Sequence, residues 1–132
     1  MLDTLVGVGL YWWMMHEGQG DRRGVWGVLS KGRYGAMPIY VNLIKFTDQG
    51  IKNAKDTVQR AAAFRGDVER RGGKLLGIYW TQGQYDIVTT IQAPDEQTAM
   101  AAALAVASLG NVRTETLRAF DESEMQSIIQ KV

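Results

Sequence analysis

From Pro38 onward the apolar and polar positions fall into alternating strand-like and helix-like patterns. Residues 38–46 (PIYVNLIKF) are rich in β-branched and aromatic side chains and stop at Thr47-Asp48, which predicts a strand. Ile51, Ala54, Val58, Ala61, Ala62, Phe64 and Val68 then recur at helical spacing. Thr47 or Asp48 can accept from the free amides of the first turn, and Gly72-Gly73 can end the helix in the left-handed conformation. Residues 74–81 (KLLGIYWT) and 85–92 (YDIVTTIQ) flank Gln82-Gly83-Gln84, the spacing of a hairpin. Pro94-Asp95-Glu96 opens a second helix with acids at the positive end of its dipole, and Gly110-Asn111 closes it. Residues 112–120 (VRTETLRAF) make a fourth strand. Asp121 to Glu124 has the form of a capping box, and Met125, Ile128 and Ile129 share one face of a short last helix expected to dock on the domain.

This order predicts an α+β fold of the ferredoxin-like β-α-β-β-α-β type. It has a four-stranded antiparallel sheet, helices on one face and a short C-terminal helix. In the first strand, Ile39, Val41 and Leu43 are uniformly apolar and are expected to face the helices. That places Tyr40, Asn42 and Ile44 on the open face, where a buried Asn42 amide needs partners. An open face this apolar predicts a homodimer or higher oligomer paired through it.

Before Met37 the pattern breaks. Residues 1–36 hold 8 of the 15 glycines and three of the four tryptophans, with neither a helical period nor clean alternation. Met37-Pro38 looks like a native start, so residues 1–36 are expected to be an extension outside a domain at 37–132. A further strand or an oligomer-contacting arm is the other reading. The apolar run at 5–15 is too short to span a bilayer and has no Lys or Arg before it, unlike a secretory signal. The expectation is a cytoplasmic protein without membrane contact.

Composition narrows the chemistry. The formal net charge is +1, acids and bases balance within 37–132, and no basic stripe suggests nucleic acid. Cysteine is absent and the single histidine, His16, precedes the domain. Thiolate or histidine metal sites, Ser-His-Asp hydrolysis and histidine-ligated haem therefore have no candidate residues there, and neither a metal nor a cofactor is expected. Asp86, beside the hairpin, has two readings: a cap for turn amides, or a general base with its pKa raised by a partly apolar pocket. It is the one catalytic candidate. Tyr85 points to the opposite face by strand alternation. Tyr79 and Trp80 suit a ligand wall or an oligomer interface. Arg113 and Arg118 suit either a carboxylate ligand or an acid of a partner subunit. Asn42, Trp80, Asp86, Arg113 and Arg118 form the candidate ligand-binding set. Six alanines among residues 99–107 fit close helix–sheet packing, or a cleft left open for an apolar ligand. Lys52, Lys55, Asp56 and Arg60 read as the solvated face of the first helix.

Four blocks resemble one family: Phe46-Thr47-Asp48-Gln49-Gly50-Ile51, Tyr79-Trp80-Thr81, Gly83-Gln84-Tyr85-Asp86-Ile87-Val88 and Ser108-Leu109-Gly110-Asn111-Val112-Arg113-Thr114. Together they resemble the GYD family of small bacterial proteins, and Gly83-x-Tyr85-Asp86 matches the motif behind its name. The resemblance covers 37–132 and none of 1–36. It implies a dimeric α/β-barrel type of assembly and brings no established general activity. The function expected is a homo-oligomeric domain binding a small, partly aromatic or carboxylate-bearing molecule. The alternatives are a cofactor-independent enzyme, isomerase or oxygenase-like, and a purely structural or regulatory assembly domain.

Overall fold

The structure, a computed structural model, describes residues 37–132. The expectations placed on residues 1–36 lie outside the described residues. Strand β1 (Ile39–Phe46) leads into a short helix α1 (Asp48–Lys52), a 3₁₀ turn (Ala54–Asp56) and the long helix α2 (Thr57–Arg70). Strands β2 (Lys74–Trp80) and β3 (Ile87–Gln92), helix α3 (Glu96–Ser108), strand β4 (Val112–Ala119) and helix α4 (Glu122–Ile129) follow. Every pairing is antiparallel and the sheet order is β2-β3-β1-β4, so β1 and β3 are interior. This is the ferredoxin-like arrangement expected from the sequence.

The caps form where short polar side chains precede apolar runs. Thr47 Oγ1 accepts from the Gly50 amide at 3.1 Å, and Asp95 Oδ1 accepts from the Thr98 amide at 2.7 Å. The Asp121–Glu124 capping box is complete. Gly72 and Gly110, both at φ 84°, end α2 and α3. The first helix departs from the continuous helix expected. It breaks at Asn53, whose side-chain amide donates to the Gln49 carbonyl at 3.1 Å, a local bond that competes with the helical ladder.

Two further expectations are corrected. Tyr40, Asn42 and Ile44 are buried and face the helices, whereas Ile39, Val41 and Leu43 lie half-buried on the opposite face. Both sets are largely apolar, so a period of two could not tell the faces apart. The polar residue decides the matter differently from the sequence reading. Asn42 Nδ2 donates to Thr89 Oγ1 at 3.0 Å, and Asn42 Oδ1 accepts from Thr116 Oγ1 at 2.9 Å. Both ends of the amide are paired, so its burial carries no unmet desolvation. The last helix forms but buries none of its residues, and Met125 and Ile129 stay exposed.

In β2 a bulge between Leu75 and Gly77 inserts one residue. It brings Leu75, Ile78 and Trp80 to the helix face and leaves Tyr79 on the other. The row Thr116–Asn42–Thr89 crosses the sheet and divides the helix–sheet core. On one side Tyr40, Val68, Leu75, Ile91, Ala93 and Ala99 pack with Phe64. On the other, Ile44, Ile87 and Val112 meet Phe46 and Val106.

Candidate functional site

The four sequence blocks come together at one end of the sheet: the last residues of β1 and β2 and the first of β3 and β4. Two of them form a latch. The Thr47 amide donates to the Asn111 carbonyl at 3.0 Å, and Thr47 Oγ1 donates to the Gly110 carbonyl at 2.5 Å. Gln49 Nε2 reaches the Leu109 carbonyl at 3.2 Å and Asn111 Oδ1 at 3.1 Å. The two chains approach so closely that a Cβ on Gly50 would lie 1.9 Å from the Asn111 carbonyl oxygen. Only glycine fits there.

Asp86 belongs to the same end. Its Oδ2 accepts from the Phe46 amide at 2.8 Å, its own amide donates to Ile44 O at 2.8 Å, and its carbonyl accepts from the Thr81 amide at 2.9 Å. One residue thus ties the ends of three strands, and its carboxylate acts as a cap. Trp80 Nε1 donates to Thr57 Oγ1 at 2.9 Å, bracing β2 against the start of α2.

Within this frame lies a cavity of about 340 Å³ between the sheet and the two helices. Ile44, Ile78 and Ile87 form its floor, Ala61 and Phe64 of α2 one wall, and Ala105 and Val106 of α3 the other. The alanines of α3 divide: Ala99 and Ala102 pack closely, and Ala105 lines the cavity. Arg60, Asp67 and Arg70 supply charge at the cavity margin. Asp67 is bonded by Arg71 at 2.8 Å and Arg70 at 3.4 Å, and the hydrogen bond from Arg71 holds its carboxyl below the usual range.

The predicted set does not form one cluster. Asn42 is part of the crossbar, with its partner Thr89 on the cavity wall. Trp80 and Asp86 do not line the cavity but bond to residues that do, Trp80 to Thr57 and Asp86 to the Phe46 amide, and Arg113 is exposed on the opposite face. Arg118 sits at the far end of the sheet, where Nη2 pairs with Glu124 Oε1 at 2.8 Å and holds that carboxyl below its usual range. Its partner is an acid of its own chain, which anchors α4. Arg60 was assigned to the solvated face and is instead half-buried at the cavity margin. The signal was available: Arg60 adjoins Ala61 and lies one turn before Phe64, at the border of the apolar stripe.

The sequence model of the GYD domain matches residues 40–129. The chain belongs to the GYD family. The "Glutamine synthetase and cystathionine beta-lyase binding protein" of Thermus thermophilus is 31% identical over 90 residues, covering 67% of this chain and 95% of that protein. A crystal structure of a Thermus thermophilus protein aligns with TM-score 0.43 and 24% identity over 64% of this chain and 95% of that one. The solution structure of a hypothetical Arabidopsis thaliana protein aligns with TM-score 0.39 and 13% identity over 64% and 89%. In this GYD domain the name-bearing segment ties β3 to the end of β1 through Asp86 and the Phe46 amide. On the other face Tyr85 Oη donates to Glu115 Oε2 at 2.9 Å, which raises the phenol pKa. Among the described residues no helix is long and apolar enough to cross a membrane, and no group of three or more His, Asp or Glu is placed to hold a metal.

Proposed function

We propose that residues 37–132 act as a homo-oligomeric domain that binds a small, largely apolar molecule between its helices and sheet. The observation that carries this is the 340 Å³ cavity, lined chiefly by Ile, Val, Phe and Ala and held open by a main-chain latch. Its volume is in the range of ligand pockets, and its lining is mostly apolar. Asp86, the catalytic candidate, is engaged by the Phe46 amide, which favours binding over acid–base catalysis. Oligomerisation through the sheet face of Ile39, Val41, Leu43, Tyr79 and Leu117 would cover apolar side chains that the packed helices do not.

An apolar dye such as Nile red tests the site. Its fluorescence should rise and saturate with the full chain and not with Ala105→Phe, provided both melt cooperatively. Equal dye binding by both would sink the reading. Light scattering tests the assembly. A species of 14.7 kDa, the monomer mass, would refute it, and Val41→Glu should dissociate the oligomer.

A second reading has its own support. The Thermus thermophilus relative is named for binding two enzymes, and α3 presents exposed Met100 and Leu104 within an uncharged stretch running from Gln97 to Val112. A GYD domain that docks on enzymes would use such a face. Pull-down with wild type but not Met100→Glu/Leu104→Glu would favour it.

A further inference from the structure

We infer that the ligand of this cavity is an amphipathic acid, its apolar body inside and its carboxylate on Arg60. This rests on the reading of the cavity as a binding site. The inner cavity adjoins an open outer recess of about 430 Å³ lined by Gln49, Asn53, Asp56 and Gln59. Arg60, Ala63 and Asn111 line both spaces. An occupant of both therefore passes Arg60, with an apolar surround on one side and a polar one on the other.

Among the described residues Arg60 makes no ion pair at that junction. Arg60 Nη1 donates to the Asn53 carbonyl at 2.9 Å and Nη2 to the Gly50 carbonyl at 3.3 Å, while the guanidinium carbon lies 6.0 Å from the Phe46 ring centroid. Carbonyls orient a guanidinium without neutralising it. Among the described residues the ion pairs are Asp67 with Arg70 and Arg71, and Arg118 with Glu124; Arg60 has no carboxylate partner. A guanidinium carries five N–H donors and two are used here, so three remain for an incoming anion. Asp67, the acid of the inner cavity, is already held by two arginines. Asp56, on the outer recess, is the acid that opposes an anion there. A neutral head group would leave Arg60 unmatched.

Titration calorimetry on the full chain tests this with two probe pairs, decanoate with decanol and cinnamate with cinnamyl alcohol. At least one acid should bind about tenfold or more tightly than its alcohol, the effect of one charged hydrogen-bonded pair. The gap should close in Arg60→Gln, persist in part in Arg60→Lys, and widen in the surface variant Asp56→Asn. Acid and alcohol binding equally to the wild type, or a gap indifferent to Arg60 and Asp56, overturns the inference and leaves the cavity reading standing. Failure of all four probes also overturns it; if Nile red fails as well, the cavity reading falls too.

Discussion

The two halves of the helix–sheet layer share one sheet and one pair of helices, yet one is filled and the other hollow. On the filled side Tyr40, Leu75 and Ile91 rise from the strands, Val68 comes down from α2, and Ala99 lets α3 approach. On the hollow side Ile44, Ile87 and Val112 rise in the same way but meet Ala61 and Ala105, whose side chains end early. Empty apolar space normally collapses toward interior density. Here the helix ends are held by hydrogen bonds from Thr47, Gln49 and Arg60 to main-chain carbonyls, so collapse would break polar contacts. A lasting hollow needs small residues to create it and a latch to keep it.

The largest expected effect breaks the latch. Gly50→Ala forces a Cβ into the Asn111 carbonyl and should cost about 3 kcal/mol or more in chemical denaturation, with loss of dye binding. Gly83→Ala, at φ 107° with nothing within 4 Å, carries only backbone strain and should cost about 1 kcal/mol. Equal costs would show that the latch carries no special constraint.

The next prediction compares the halves directly. Ala99→Leu overpacks the filled side and should cost about 2 kcal/mol. Ala105→Leu enters open space and should be neutral or stabilising by up to about 1 kcal/mol, while weakening dye binding. Similar losses in both variants would contradict the distinction.

Acid should weaken the hollow half and the domain as a whole. Asp67 on the hollow side, and Asp95 and Glu124 elsewhere, have carboxyl pKa values below the ordinary range. A depressed folded-state pKa contributes stability that is complete above the unfolded value and lost as pH falls through the folded one. Melting temperature should thus fall below pH ~4, less steeply in Asp67→Asn. A flat profile down to pH ~2 would remove these groups from the account.

The smallest effect concerns Tyr40. Its hydroxyl is buried without a partner among the described residues, and burial raises its pKa. Tyr40→Phe should be neutral or stabilising by up to about 1 kcal/mol, since an unmet polar group is removed. A loss above that, by thermal melt, would reveal a partner.

Element order, caps and stops were legible because each rests on a local signal: Thr47, Asp95 and Asp121 before apolar runs, glycine after them. The face of β1 was not legible, because Ile39-Val41-Leu43 looks more apolar than Tyr40-Asn42-Ile44, and only the cross-strand threonines show why Asn42 is buried. Trp80 facing the helices depends on a bulge at Leu75–Gly77, for which Gly77 inside the strand was the available signal. A structural role for Asp86 was one of its two readings, but its partner is the Phe46 amide of β1 and not a turn amide of the hairpin. The role of Arg60 was not, because its partners are carbonyls at Gly50 and Asn53, exposed only by the break in the first helix. None of the candidate ligand set lines the cavity: Trp80 and Asp86 bond to lining residues, whereas Arg113 and Arg118 lie away from it.

Diffraction from crystals of the full chain under xenon pressure tests the contrast most directly, since xenon enters apolar hollows and leaves filled cores dark. Xenon density is expected among Ile44, Ile87 and Val106, and none beside Tyr40 and Ile91. A closed space between Ala61 and Ala105 without xenon, or equal density in both halves, would contradict the account.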